Sequence, residues 1–547
     1  MPGSLVGVVL AILEASVRSV EIVLGLVVLG VVVATLAARL RAPAPSLLVI
    51  AGVVVGLLPG LPRIAVTPET ISLVVLPPLL YAASVDVAMP ELRKVIGAVS
   101  ALAVGLVAVS AVAVAFVVHA MIPDIPLAAG FVLGAVIAST DPVAVSALAR
   151  RLRLPPRLLA LVQGESLLND ATSLVLFRVA VTAAAAGAVT VGGAAAQFVR
   201  LGAGGAVVGL GLAFLVAQLR RRTDDAVLET SIALLTPYAV YVVAEACGTS
   251  GVTAVVVAGL YLGQRGVQLS RGSVRLRIDG VYDVVVFLLE SVVFAVIGLE
   301  LPTLVREMAA AERDFAGTAV AVTFVALLTR LLWIYPAGYL PRLFGRTERA
   351  DAPAPTWRVL AVATWAGTRG VVPLAAALSI PLTVDSGAPF PHRDLLIVLA
   401  ISCIILTLVV QGLTLEPLVR RLGVTEDRSR AREEEAVARH AVATAALERL
   451  DELLDLDAAP PAVLERLRQG LEARLGRTRA QLDAGPVLES VEPRTGPTYR
   501  RLRLDLLAVE SARLIALRDE GRISEDTRRK VQRSLDLEDA GLSEPAE

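Results

Sequence analysis

Two lysines in 547 residues are the chain's most conspicuous shortage: Lys94 and Lys530, each directly after an arginine. A phosphate-cradling P-loop needs Gly-Lys-Ser/Thr, and neither lysine stands in one. ATP-driven pumping of that type is therefore excluded within this polypeptide. Cysteine is as scarce: Cys247 and Cys403 both sit in apolar runs, which rules out a disulfide framework or a CxxC metal site and suggests two small core residues. The three histidines, His119, His392 and His440, share no zinc or haem spacing, and His119 reads as an interfacial residue. Acidic and basic residues balance at 51 each, so the basic excess of a general nucleic-acid binder is missing. No motif asks for a cofactor.

What the chain has instead is apolar length. Residues of the AVILMFWYC set make up 56% and charged residues 19%, with a mean hydropathy of +0.72; a soluble protein carries nearer ~25% charge. The charge is also unevenly spread: 54 charged residues fall in positions 1–420 and 48 in 421–547, about 13% against about 38%. That pattern predicts an all-α polytopic membrane domain over 22–420 and a soluble tail over 421–547. Leu5–Leu13 lacks a basic flank and Glu14 interrupts it, so 1–21 reads as an interfacial segment rather than a cleaved signal.

About thirteen windows are long and apolar enough for spans: 22–40, 45–61, 69–85, 95–119, 127–148, 157–184, 197–219, 228–246, 250–264, 280–300, 315–340, 357–381 and 393–420. Basic residues crowd the loops after odd windows, for example Arg150, Arg151, Arg153 and Arg157, or Arg220–Arg222. The loops after even windows are nearly free of them. The positive-inside rule then puts the N-terminus outside and the tail in the cytoplasm, in a cell membrane. Within the tail, Arg432–Leu454 and Tyr499–Arg518 have apolar residues at helical spacing among mixed charges. Pro460–Pro461 and Gly485–Pro486 mark breaks. A helical regulatory or oligomerisation tail is the reading.

Ionisable groups inside apolar spans cost ~2.5–3.5 kcal/mol each even on lenient scales, so their positions carry information. The sixth window holds Gly164-Glu165-Ser166-Leu167-Leu168-Asn169-Asp170, with Glu165/Asn169 and Ser166/Asp170 each four apart on adjacent helical stripes. Carboxylates, a hydroxyl and an amide in six residues suit a hard monovalent cation, and a carboxylate also takes a proton. The fifth window holds Ser139-Thr140-Asp141-Pro142, where proline should break the helix, free the carbonyls around Thr140 and leave Asp141 to cap a second half-helix. The twelfth holds Gly367-Thr368-Arg369-Gly370 with Pro373 following, a matching break with a positive charge. Arg369 can counter the negative end of one half-helix and Asp141 the positive end opposite. Interrupted helices in the two halves, about 230 residues apart, are the signature of an inverted-repeat transporter with broken helices crossing at its midplane. Arg330, in the eleventh window, needs an acid, and Glu165 is the candidate. Glu290 sits in mid-window, Glu229 and Glu245 flank the eighth, and Asp86 ends the third as an interfacial cap.

With these segments in family order and spacing across 20–420, the chain resembles the first family of monovalent cation:proton antiporters, the NhaP and Na⁺/H⁺ exchanger type. The resemblance implies thirteen helices, a core domain moving against a dimerisation domain, and a homodimer in the lipid bilayer. It implies Asp170 as the cation and proton carboxylate, with Glu165, Ser166 and the Thr140 backbone completing the Na⁺ site. Asn169 stands where electrogenic relatives have a second aspartate, which implies electroneutral exchange. Asp141 and Arg369 would balance the crossed half-helices, and Arg330 would pair with Glu165. The residues themselves leave other classes open: a proton-coupled carrier of another substrate, for which 4% aromatics is poor provision; a K⁺-preferring antiporter; a channel; or an intramembrane enzyme, for which no HExxH and no Cys/His nucleophile pair is present.

Overall fold

The computed structural model describes residues 24–40, 42–58, 71–141, 145–146, 152, 154–186, 191–223, 225–307, 315–343, 356–384, 387–425, 428–455, 461–483 and 497–543. The expected N-terminal segment, Pro142, Pro460 and Gly485–Pro486 lie outside them. Every apolar window contains helix: α1 (Leu24–Leu40), α2 (Ala44–Gly56), α3 (Ser72–Val85), α4 (Met89–Met121), α5 (Leu127–Ala138), α6 (Pro156–Ala186), α7 (Val191–Arg220), α8 (Ala226–Ala246), α9 (Gly251–Leu269), α10 (Gly272–Glu307), α11 (Ala316–Leu343), α12 (Trp357–Trp365), α13 (Val371–Leu378) and α14 (Arg393–Leu422). Among the described residues, seven of these are long and apolar enough to cross a membrane by length and composition: α4, α6, α7, α8, α10, α11 and α14. Large apolar side chains stand exposed along them, such as Val207 at 73% and Leu332 at 64%. Water would penalise such a surface, whereas lipid tails solvate it, so the chain is an integral membrane protein.

The helices pack as two groups. In the first, α1–α3 associate with α7–α10. Gly52 of α2 and Gly298 of α10 let two backbones touch: a Cβ at Gly298 would lie 2.6 Å from the Val53 nitrogen. Small residues permit this approach, which in lipid supplies the packing that the hydrophobic effect cannot. In the second group, α4–α6 associate with α11–α14, and Gly130 of α5 takes the Ala115 backbone at a similar distance.

The tail forms α15 (Arg428–Asp455), α16 (Pro461–Asp483), α17 (Pro497–Asp519) and α18 (Glu525–Ser543). Two of them contain the segments read as amphipathic; α16 and α18 were not anticipated. Leu450, Leu464, Leu467 and Leu506 make one of its cores, and Val442, Leu514, Leu517, Val531 and Leu535 another. A charge network joins α17 to α18, in which the buried Arg503 meets Glu510 at 2.7 Å and Glu538 at 2.6 Å.

Candidate ion-binding site

Helix α5 stops at Ala138, and Ser139 through Asp141 run extended or irregular. Helix α12 stops at Trp365, and α13 resumes only at Val371. The two interruptions meet. Asp141 N–H donates to the Thr368 carbonyl at 2.7 Å, and the Thr368 hydroxyl donates to the Asp141 carbonyl at 2.9 Å, joining residues 227 apart in sequence. Each broken strand thus finds partners in the other for polar groups that lipid would leave unsatisfied.

The ends of the half-helices are then capped by charge. Arg369, 2% exposed, donates from Nε to the Ile137 carbonyl in the last turn of α5 at 3.2 Å and from Nη1 to the Gly367 carbonyl at 2.7 Å. Arg330 donates to the Thr364 and Ala363 carbonyls, the last turn of α12, at 3.0 and 2.9 Å. Two guanidinium groups therefore stand at the negative ends of two helix dipoles. The Asp141 carboxylate lies against Gly370 at the positive end of α13, so close that a Cβ at Gly370 would overlap it. The residue that follows Asp141, Pro142, where the second half-helix was expected to start, lies outside the described residues.

Asp170 lies halfway along α6 and is 6% exposed. The Ser139 hydroxyl donates to its Oδ1, the only hydrogen bond to that carboxylate among the described residues. Beside it the Ser166 hydroxyl donates to the Thr140 carbonyl. Asn169 clamps the break itself: its Oδ1 accepts from Thr140 N–H at 3.2 Å, and its Nδ2 donates to the Thr140 hydroxyl at 3.0 Å. Glu165 forms a two-point pair with Arg330, one contact at 2.9 Å, with both residues at most 2% exposed.

A cavity of about 1300 Å³ separates the two helix groups, and Asp170, Ser166, Thr140 and Asp141 line it, as do Glu290 of α10 and Pro373 of α13. Glu165, Asn169, Arg330 and Arg369 do not. The expectation of Glu165 as a direct cation ligand therefore meets a contrary geometry: both its oxygens are taken by Arg330, behind the cavity wall. Asn169 likewise holds backbone rather than facing the cavity. Sequence reading gave Ser139 no role, although it stands in the same Ser-Thr-Asp-Pro run. It also missed Thr407, which accepts from Arg369 N–H at 3.3 Å and whose threonine-in-apolar-helix context carries no signal.

Of the other flagged residues, only Asp86 also lines the cavity. Glu229 is buried with Arg220 at 3.2 Å and Ser270, and Glu245 pairs with Arg178 at 2.6 Å. Asp86 is the C-cap of α3, and His119 is exposed near the end of α4. Cys403 is buried as expected of a core residue, but Cys247 is exposed: it falls at the C-cap of α8, where the helix ends at the surface.

Known proteins resemble the chain closely over this region. Residues 23–421 match the family model described as sodium/hydrogen exchanger, transmembrane. An uncharacterised Na⁺/H⁺ exchanger of Mycobacterium tuberculosis is 35% identical over 531 residues, 96% of each chain. A sodium, potassium, lithium and rubidium/H⁺ antiporter of Bacillus subtilis is 32% identical over 384 residues, 68% of this chain and 57% of the relative. The solved structure of the sodium proton antiporter MjNhaP1 from Methanocaldococcus jannaschii superposes with a TM-score of 0.59 at 20% identity, over 75% of this chain and 99% of that one, which speaks for a shared fold.

Proposed function

The chain belongs to the sodium/hydrogen exchanger family, and from that premise we propose that it is a secondary antiporter exchanging Na⁺, K⁺ or Li⁺ for H⁺ at Asp170, one cation for one proton. The observation that carries the reading is the position of Asp170. Its carboxylate lines the cavity with one hydroxyl donor on it, while the other buried carboxylate of the helix, Glu165, is held by an arginine. One free carboxylate holds either a proton or a cation, and their competition couples the two flows.

The neighbouring oxygens suit a cation. Hydroxyl hydrogens rotate freely, so the Ser139 and Ser166 groups that now donate can turn their lone pairs toward an ion instead. With the Thr140 carbonyl and an Asp170 oxygen they make an all-oxygen set suited to a hard monovalent ion. The crossed breaks supply these oxygens without a lipid-facing orphan, and Arg369 with Asp141 balances the dipoles that end there. Transport then consists of the α4–α6/α11–α14 group shifting against the other, carrying Asp170 from one side of the membrane to the other. The cavity is lined by Asp86 and Val87 after α3 and by Val267 and Arg275 on either side of the α9–α10 connection, the side that the arginine pattern assigns to the cytoplasm, and on this reading the state is inward-facing. A homodimer in the cell membrane, with the N-terminus outside, completes the reading. The Bacillus relative's range of Na⁺, K⁺, Li⁺ and Rb⁺ argues for trying each ion.

The test is reconstitution of the full chain with a pH dye trapped inside the vesicles, followed by outward gradients of Na⁺, K⁺ and Li⁺ in turn. Acidification of the lumen by at least one cation, relieved by collapsing its gradient, is expected. No response to any of them would sink the proposal.

A further inference from the structure

Past Asp170 along α6, and away from the large cavity, lies a second one of about 90 Å³. The same helices line both at successive turns. On α6, Ser166, Asp170, Leu174 and Phe177 follow one another at spacings of four and three, hence on one stripe. The first two face the large cavity, and Leu174, Phe177 and Arg178 the small one. On α13, Val371–Pro373 face the large cavity, and Ala375, Ala376 and Ser379 the small one. Leu76 of α3, 2% exposed, lines both and so separates them. The two cavities are therefore segments of one seam between the helix groups, interrupted at Leu76.

At the small cavity an ion pair crosses the seam, on the side that the arginine pattern assigns to the outside. Arg178 donates from Nη2 to Glu245 Oε1 at 2.6 Å, joining α6 of one group to α8 of the other. The acceptor is fixed in advance: the same Glu245 oxygen accepts from Gly251 N–H at 2.9 Å, which sets the carboxylate on the positive end of α9. Arg178 stands eight residues beyond Asp170, roughly 12 Å along the same helix, and so moves with it. Both side chains are about one-third exposed, at 36% and 32%. A pair in such surroundings is worth far less than a buried one such as Arg330 with Glu165. It can part and re-form in every cycle.

We propose that Arg178 and Glu245 form the outer latch of the exchange cycle: their pair holds the small cavity shut while Asp170 faces inward, and parts when that cavity opens as the outward route from Asp170. This rests on the antiport reading above. Opening leaves both charges in the water that enters, so neither is stranded. Because the pair exists only with the outer side closed, removing either charge shifts the resting population toward the outward-open state.

Thiol labelling of the full-length chain in detergent tests the latch without relying on transport. Ala376 lines the small cavity and is 3% exposed, and Cys403 is fully buried, so Cys247→Ser/Ala376→Cys reports opening of the outer side. A charged methanethiosulfonate should react with this parent slowly. Adding Arg178→Gln or Glu245→Gln should raise the labelling rate by about fivefold, and adding both should raise it no further. Glutamine at 245 can still accept from Gly251 N–H, so that variant removes the ion pair and spares the start of α9. Arg178→Lys keeps the charge and should label at close to the parent rate. The rate of each sample in SDS serves as the mark of unfolded protein. A parent that labels as fast in detergent as in SDS overturns the latch. So do glutamine variants no faster than the parent, or an Arg178→Lys rate equal to that of Arg178→Gln. An unmodified chain that exchanges no cation in proteoliposomes overturns the antiport reading instead, and the latch with it.

Discussion

Replacing Asp170 by asparagine keeps the side chain's size and polarity and removes both its charge and its exchangeable proton. Asp170→Asn should therefore fold, insert and run as a normal species in detergent, yet show no cation-driven pH change above empty vesicles. Exchange above that background in well-folded protein would remove Asp170 from the centre of the mechanism. The pair behind it has a different expectation. Arg330→Ala strands the Glu165 carboxylate without its partner, a loss of ~3–5 kcal/mol in comparable soluble proteins. Thermal unfolding should show Arg330→Ala below Glu165→Ala/Arg330→Ala. The double variant should still fall short of the parent, because the Thr364 and Ala363 carbonyls lose their donor in both. Simple additivity would show that the two residues are not coupled. These residues were legible in the sequence because a charge in an apolar span is expensive and so conspicuous. Which stripe of α6 faces the cavity was not: Glu165 and Asp170 lie on neighbouring stripes, and only the placement of Arg330 on another helix decides between them. Ser139 escaped notice because a serine in a membrane helix costs little and is common.

At the scale of elements, the crossing of the broken helices depends on a missing side chain. A Cβ at Gly370 would meet the Asp141 carboxyl and lie 2.7 Å from its Cβ, so Gly370→Ala must push Asp141 from the start of α13. A loss of ~1–3 kcal/mol, the usual cost of overpacking, should appear as a lower melting temperature, together with impaired exchange. An alanine variant as stable and active as the parent would mean the contact is not constrained. In the tail, burial alone would raise the Glu538 carboxyl, but the hydrogen bonds and charges of Arg503 and Arg474 outweigh it and hold it down at about 2. Glu525 is likewise held low against its burial, by Arg528, Arg529 and Arg518. Carboxyls with lowered values stabilise the fold above their unfolded values and lose that contribution as pH falls through the folded ones. Glu538 accounts for on the order of 2 kcal/mol, allowing for its partial contact with water. Hydrogen-exchange protection of α17 and α18 in the full chain, corrected for intrinsic rates, should fall as the pH drops from about 5 toward 2. In Glu538→Gln it should be weaker at pH 7 and less dependent on pH; an identical profile would contradict the assignment. The membrane helices were readable from apolar length alone. Helices α16 and α18 were not, since their few buried leucines are spaced among many charges, and the docking of α18 rests on Arg275 and Asp536, 261 residues apart.

For the whole molecule, the central claim is that a single carboxylate carries both ions. Asn169 adds no charge beside Asp170, and both oxygens of Glu165 are held by Arg330, so the proposed cycle moves one cation out for each proton in, with no net charge crossing. An electrogenic cycle would feel ~2.3 kcal/mol per charge per 100 mV, and this one nothing. The direct measurement clamps a K⁺/valinomycin potential across Na⁺-loaded proteoliposomes of the full chain and follows luminal pH to equilibrium. One-for-one exchange at Asp170 predicts an end point set by the Na⁺ gradient alone and unmoved by voltage. An end point that shifts with the imposed potential would contradict it and require a second titrating site, with Glu165 the first to examine.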